Sequence, residues 1–252
     1  MTTQPDQKQI YLNAEMASRL AGIDIGSNSV RLLVAEVFRG SSYRILDEER
    51  EPTRLARSIS SDGRLDKDAM ERTLDALATF KQIAAGYQVS ALRTIATCAV
   101  REATNGPEFC ERIQKNVGLN VEVISGEREA RLAFSSVQHA FDLHGKNIVI
   151  ADIGGGSTEV VFATGSLVES IFSTPLGAVR LTERCGIGSG ANGVEFQQGL
   201  IKLDKEITGC LKRETSRPLF APHFLVGSGG TFTTLAESVS YTHLTLPTNR
   251  EV

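Results

Sequence analysis

With 252 residues, 41% of them hydrophobic, the chain is long enough for one large or two modest domains around a substantial core. A net charge of −3 and a pI of about 5.9 exclude the global positive field that gathers nucleic acid or a membrane surface, so any polyanion must be met by local arginines inside a cleft. The four cysteines, Cys98, Cys110, Cys185 and Cys210, match neither zinc-pair nor redox-motif spacing and read as reduced thiols of a cytoplasmic protein.

Residues 1–17 are polar, lack the apolar segment of a signal peptide and are expected to form a disordered leader. No apolar run approaches the roughly twenty residues that span a bilayer. The first patterned stretch, IDIGSNSVRLLV at 23–34, is an apolar strand ending at Asp24, a turn through Gly26, Ser27, Asn28 and Ser29, and a second apolar strand. Residues 30–38 and 43–50 continue as an antiparallel meander, with Arg39, Gly40 and Ser41 as the turn. The connection at 54–63 is polar, and its arginines suit solvent better than a polyanion. Residues 66–85 carry Met70, Leu74, Leu77, Ala78 and Ile83 at helical spacing, ended by Gly86.

Residues 89–96 read as a buried strand that delivers ATCAVREATNG at its carboxyl end, where open α/β sheets bind ligands. Arg101 there either reaches an anion or pairs with Glu102. A helix follows at 107–117, opened by Pro107 and closed by Gly118, then a strand at 119–124. Ser125 and Gly126 open a helix with Glu127 and Glu129 in its first turn. Acids there complement the helix dipole, and either can project into a cleft instead. This helix runs through Leu132, Phe134 and Val137 toward Leu143, while His139 and His144 have no partner at metal spacing.

A boundary at 144/145 precedes a second copy of the first motif. ADIGGGSTEVVF at 151–162 aligns with 23–34, so that Asp152 matches Asp24, Gly154 matches Gly26 and Ser157 matches Ser29. A strand at 167–174 completes the meander, Pro175, Leu176 and Gly177 open a helix carrying Arg180, and 192–215 has a strong helical period. A short strand at 222–226 runs into a third glycine turn, Gly227, Ser228, Gly229 and Gly230, at a helix start and hence at an anion-binding position. Residues 239–252 do not continue the pattern and are expected to be a truncated or mis-joined C-terminus.

The middle copy carries the chemistry. Gly154, Gly155 and Gly156 lack a Cβ, so the backbone can take positive φ, approach a ligand closely and aim successive amides into one concavity. Asp152 adds a metal-binding carboxylate, Ser157 and Thr158 add hydroxyl donors, and Glu159 leaves a carboxylate for acid–base work. A capped hairpin explains one such loop equally well. Two copies favour similar halves gripping a phosphate across one cleft.

The paired loops resemble those of the actin–hexokinase–chaperone ATPase fold. The ordered set IDIGSNSVRLLV, ATCAVREATN, ISGEREARL, ADIGGGSTEVVF, TPLGAVRLTE and VGSGGTFTTLAE, over residues 22–237, resembles the exopolyphosphatase and guanosine pentaphosphate phosphohydrolase family. The resemblance implies an α/β protein of two actin-like (ribonuclease H-like) domains, 18–144 and 145–238, with mixed sheets facing an interdomain cleft and the second domain incomplete. It implies that Glu129 is a catalytic carboxylate with Glu159 its partner across the cleft, and that Asp152 and Asp24 hold Mg²⁺. Gly26, Ser27, Asn28, Ser29, Gly154, Gly155, Gly156, Ser157, Thr158 and Arg101 would hold phosphates, with Gly227, Ser228, Gly229 and Gly230 at the third turn. The implied reaction is hydrolysis of a terminal phosphoanhydride of polyphosphate or guanosine pentaphosphate by a glutamate-activated water, without nucleic-acid or membrane partners and with homodimerisation left open. The alternatives are an ATP-dependent small-metabolite kinase of the same superfold, or a non-catalytic alarmone- or nucleotide-binding module.

Overall fold

Two meanders of the same topology build the chain, whose computed structural model describes residues 17–38, 42–57, 63–188, 190 and 192–239. In the first, β1 (Ser18–Ile25), β2 (Val30–Val37) and β3 (Tyr43–Glu51) run antiparallel. The helix α1 (Lys67–Gly86) then returns the chain so that β4 (Ala91–Ala96) pairs parallel with β1. Two helices, α2 (Cys98–Glu102) and α3 (Gly106–Val117), lead to β5 (Val121–Val123), giving the order β3-β2-β1-β4-β5. The second begins after α4 (Gly126–Ala140). Its strands β6 (Asn147–Ile153), β7 (Thr158–Thr164) and β8 (Leu167–Thr174) repeat the meander, followed by α5 (Ala178–Cys185) and α6 (Gly193–Glu214). Strand β9 (Phe224–Ser228) pairs parallel with β6 and leads into α7 (Gly229–Val239), so the order β8-β7-β6-β9 repeats β3-β2-β1-β4.

Local sequence explains most of these elements. In β1 and β2 the alternate residues Ala21, Ile23, Ile25, Val30, Leu32 and Val34 turn inward onto α1, whose buried face includes Met70, Leu74, Leu77 and Phe80. Asp66 caps α1 by accepting from the Ala69 amide at 2.9 Å. Gly118 closes α3 in the left-handed conformation at φ 71, where glycine meets no Cβ penalty.

Some expectations change. Gly86 is the last helical residue of α1 rather than its stop, and Gln88, at φ 55, makes the reversal. The stretch after β4, for which the sequence pattern predicts no element, winds into the short α2, with Cys98, Ala99 and Val100 buried in the core. In α6 the apolar residues that set the period, Val194, Phe196, Leu200, Ile201 and Leu211, stand exposed, while Leu203 and Ile207 pack toward Leu176, Leu181 and Cys210. The expected turn at 39–41, part of the 54–63 connection, residues 1–16 and the tail from 240 lie outside the described residues.

The helix α4 precedes the sequence boundary at 144/145, yet its Ala130, Phe134 and Val137 share a core with Leu143, Ile148, Ile150, Val161 and Ala163 of the second sheet. Helical period shows that a helix has an apolar face, not which sheet it covers. Removing that anchor tests the packing. Phe134→Ala is expected to cost about 3–5 kcal/mol, and hydrogen exchange should accelerate in β6–β8 before it does in β1–β3.

Candidate active site

The β1–β2 and β6–β7 hairpins turn in the same way. The Gly26 amide donates to Ser29 O at 3.1 Å, and the Gly154 amide donates to Ser157 O at 3.0 Å. The carbonyls of each turn are tied away from the cleft. Ser27 O and Asn28 O accept from the amides of Ala56 and Arg54, both at 2.8 Å, while Gly154 O and Gly155 O accept from Ala178 and Val179 at the start of α5, at 2.9 and 3.0 Å. Among the described residues the amides of Ser27, Asn28, Gly155 and Gly156 have no partner, which leaves donors for an anion on both hairpins.

None of Gly154, Gly155 and Gly156 has a positive φ, contrary to the expectation for this turn. Their glycines answer a different demand, the close approach of the two hairpins. A Cβ on Gly155 would stand 3.2 Å from Ser27 Cβ, and one on Gly156 would stand 2.5 Å from Ser27 Oγ and 2.7 Å from Cys98 Sγ. Gly177 is under the same constraint, since its Cβ would fall 2.3 Å from Gly155 O. The third turn joins them. Gly229 does take positive φ, +85°, and a Cβ there would meet Asp152 Oδ1 at 2.5 Å. Ser228 ends the β6–β9 pairing in register with Asp152, one residue after Gly227 opposite Ala151.

Four carboxylates gather at this junction. Burial raises Asp24 to about 6, opposed by Arg31 and reinforced by the nearby Asp152. The Oδ1 atom of Asp24 is buried without a hydrogen-bond partner. Burial likewise raises Asp152, with Arg31 opposing. Glu159, cross-strand from Asp152, is 2% exposed. Its pKa is raised by burial against the hydroxyls of Ser173 and Ser157, and Ser173 Oγ donates to Oε1 at 2.8 Å. Glu129 is raised to about 7, first by burial and then by the charge of Glu159, with Arg101 opposing.

Of the two acids opening α4, Glu127 turns outward to pair with Arg131 at 2.8 Å, while Glu129 turns toward the other carboxylates. Arg101 does not pair with Glu102. Its Nη1 donates to Ile124 O at 2.9 Å and to Glu129 Oε2 at 3.3 Å. Glu102 instead takes Arg180 from the second half, beside the Cys98 thiol, which donates to it at 3.3 Å. Thr158 spends its hydroxyl on Leu176 O, and Ser29 Oγ accepts from Arg50 Nε at 3.2 Å.

Two cations escaped notice in the sequence. Arg31 and Arg50 are cross-strand partners, and Arg31 also pairs with Asp24. Their Nη2 atoms stand 3.9 and 3.8 Å from a Cβ built on Gly230, so both reach the third turn. A signal existed for Arg31, which occupies the place in the first copy that Glu159 occupies in the second. Among the described residues no three His, Cys, Asp or Glu side chains cluster as a complete metal cage. Asp24 and Asp152 offer hard oxygens, one of them an unpartnered buried atom. That pair fits a divalent cation completed by phosphate and water, the usual habit of Mg²⁺.

Fold and site together define a two-lobed α/β protein with paired phosphate-type loops and buried acids at its cleft. The model of the Ppx/GppA phosphatase family matches residues 33–245, and the chain belongs to that family. Among solved structures it is similar to the Ppx-GppA enzyme of Aquifex aeolicus, with 35% identity and a TM-score of 0.70 over 88% of this chain and 71% of that one. It is also similar to an exopolyphosphatase from Cytophaga hutchinsonii, with 29% identity and a TM-score of 0.74 over 91% of this chain and 72% of that one. A PilM–PilN type IV pilus biogenesis complex, at 15% identity and a TM-score of 0.52 over 88% of this chain and 85% of that one, shares the fold alone. The architecture is actin-like, and family membership makes the chain a phosphohydrolase of the exopolyphosphatase type.

Gly156→Ala is expected to push the hairpins apart at a cost of about 1–3 kcal/mol, and phosphate release should fall while circular dichroism is unchanged. The raised carboxyls also set a pH dependence. Glu129 and Asp24 hold protons more tightly in the fold than in the unfolded chain, so their contribution to stability declines as pH rises from 4.5 to about 7 and from 3.8 to about 6, respectively. Without added metal, Glu129→Gln should therefore melt above the parent at pH 8, by about 2–4 °C for each kcal/mol relieved, and the difference should vanish near pH 4.

Proposed function

We propose that this chain releases the terminal phosphate of inorganic polyphosphate or of guanosine pentaphosphate, with Glu129 as the general base. The observation that carries this reading is the meeting of Glu129, Glu159, Asp24 and Asp152 beside two hairpins whose amides are free to donate. Phosphoryl transfer leaves a protein mainly the tasks of placing the nucleophile and neutralising charge on the transferred group. The amides of Ser27, Asn28, Gly155 and Gly156 bind and orient the terminal phosphoryl, joined by the Ser157 hydroxyl and by Gly26, Ser29 and Gly154 as the frame of each turn. Arg31 and Arg50 meet the following phosphates near Gly227, Ser228, Gly229 and Gly230.

A water on the Glu129 side attacks phosphorus while its proton passes to the Glu129 carboxylate, and the bridging P–O bond breaks toward the shortened chain. A pKa of about 7 suits this work, because the group is half ionised near neutrality yet basic enough to accept the proton. Arg101, anchored by donating to Ile124 O, also donates to the Glu129 carboxylate and so fixes its position. Glu159, fastened by Ser173, orients the same water from the other half of the cleft. Asp24 and Asp152 would hold Mg²⁺, which when bound supplies charge neutralisation to the phosphoryl oxygens. The unpaired thiols Cys98, Cys110, Cys185 and Cys210 suit a reducing, cytoplasmic setting.

Phosphate release from polyphosphate, guanosine pentaphosphate and ATP, each supplied alone with Mg²⁺, tests the reading. Hydrolysis of either of the first two is expected without any acceptor, whereas release from none of the three until a metabolite is added would establish a kinase. The rate of the parent is expected to rise with pH up to about 7, and Glu129→Gln should lower kcat by about 10²- to 10⁴-fold and abolish that rise. Glu159→Gln should also lower kcat, but with that limb retained. Near-parental turnover in both variants would overturn the assignment.

A further inference from the structure

A hollow of about 400 Å³ lies between α5, α6 and the segment joining β8 to α5, away from the carboxylates described above. Its size falls in the range of about 300–1,000 Å³ typical of small-ligand sites. Arg184 of α5 and Lys202, Lys205 and Arg213 of α6 line it, with Glu206 the acid among them and Leu176 and Cys210 buried at its base. The α6 residues recur at spacings of three, four and seven or eight, which brings Lys202, Lys205, Glu206, Cys210 and Arg213 onto one helical face.

Two of these cations have structural employment. Lys202 Nζ donates to Arg184 O at the carboxyl end of α5, and Arg184 Nη1 pairs with Glu206 at 3.1 Å. Lys205 and Arg213 have neither an ion pair nor a hydrogen bond among the described residues. Burial raises the Cys210 thiol, and the charge of Glu214, which does not line the hollow, raises it further. Two unpaired cations facing one concavity, beside two more, repel one another unless an anion sits between them. In a chain of net charge −3, such a concentration needs a reason.

We propose that this hollow binds an oligophosphate anion, a run of two or more phosphoryl groups, at a second site outside the catalytic cleft. Lysine meets phosphate as a point charge and arginine as a planar fork, so Lys205 and Arg213 grip neighbouring phosphoryls while Arg184 and Lys202 extend the field. The site is joined to the catalytic loop by one segment. Leu176, which lines the hollow, accepts the Thr158 hydroxyl at its carbonyl, and the first amides of α5 hold Gly154 O and Gly155 O. An anion that draws α5 and α6 together steadies the carbonyls that aim the loop amides.

The experiment is calorimetric titration of the full chain carrying Glu129→Gln, to prevent turnover, with inorganic tripolyphosphate and separately with GTP at about 0.15 M salt, where surface charge is screened over about 8 Å. Two sites for tripolyphosphate are expected, and one should weaken at least tenfold when Lys205→Glu and Arg213→Glu are added. Equal affinity for GTP at that site assigns recognition to the phosphate run, and tighter GTP binding assigns it to a nucleotide. Binding unaltered by the charge reversals, or no second site for either probe, overturns the proposal. Lys205→Ala with Arg213→Ala gives the same reading should the reversed chain not fold. Gly156→Ala acts at the hairpin contact, where its Cβ meets Ser27 and Cys98, and touches no residue that lines the hollow. Binding that survives it and is lost on charge reversal separates this site from the catalytic assignment, so either can fail alone.

Discussion

Everything at the cleft depends on two backbone turns touching with no side chain between them. Gly155 and Gly156 lie against Ser27, Asn28 and Cys98, and Gly177 lies against the carbonyl of Gly155. A methyl group at Gly156 or Gly177 would occupy space already filled. This contact brings the unpaired amides of both halves to one place. It also holds Asp152 close enough for its charge to be felt at Asp24. The first turns of α5 support the contact by fastening the loop carbonyls.

That approach carries an electrostatic cost, visible in the acids themselves. Asp24, Asp152, Glu129 and Glu159 are all pushed toward their protonated forms, chiefly by burial. Arg31 and Arg101 and the hydroxyls of Ser173 and Ser157 offset only part of it. A fold seeking stability alone would not bury Asp24 Oδ1 unpartnered. The arrangement has a purpose once a cation and a polyanion are admitted, because each relieves what the other and the protein leave unbalanced. Perturbed acids grouped in a cleft are the physical mark of a working site.

The repeat was legible because strand–turn–strand units follow short-range rules. Asp24 and Asp152 stand next to last in equivalent strands, and two residues on each is followed by a glycine whose amide closes the same four-residue turn. Alternate positions in a first helical turn do not reveal which of Glu127 and Glu129 points inward, and only the family resemblance singled out Glu129. In the fold Glu127 holds Arg131 at the surface, while Glu129 turns toward the other carboxylates. Arg50 left no signal, because its reach to Ser29 depends on the register of β2 with β3.

By itself the sequence determined the order of elements, the duplicated hairpins, the residue types at the cleft and the family, since these rest on neighbours close in the chain and on hydrophobic period. Only the tertiary structure decided that α4 covers the second sheet, that Arg101 steadies Glu129 rather than pairing with Glu102, and that the glycines serve contact rather than positive φ. Those outcomes depend on which surfaces meet across long chain separations, and periodicity carries no information about the partner a face will find.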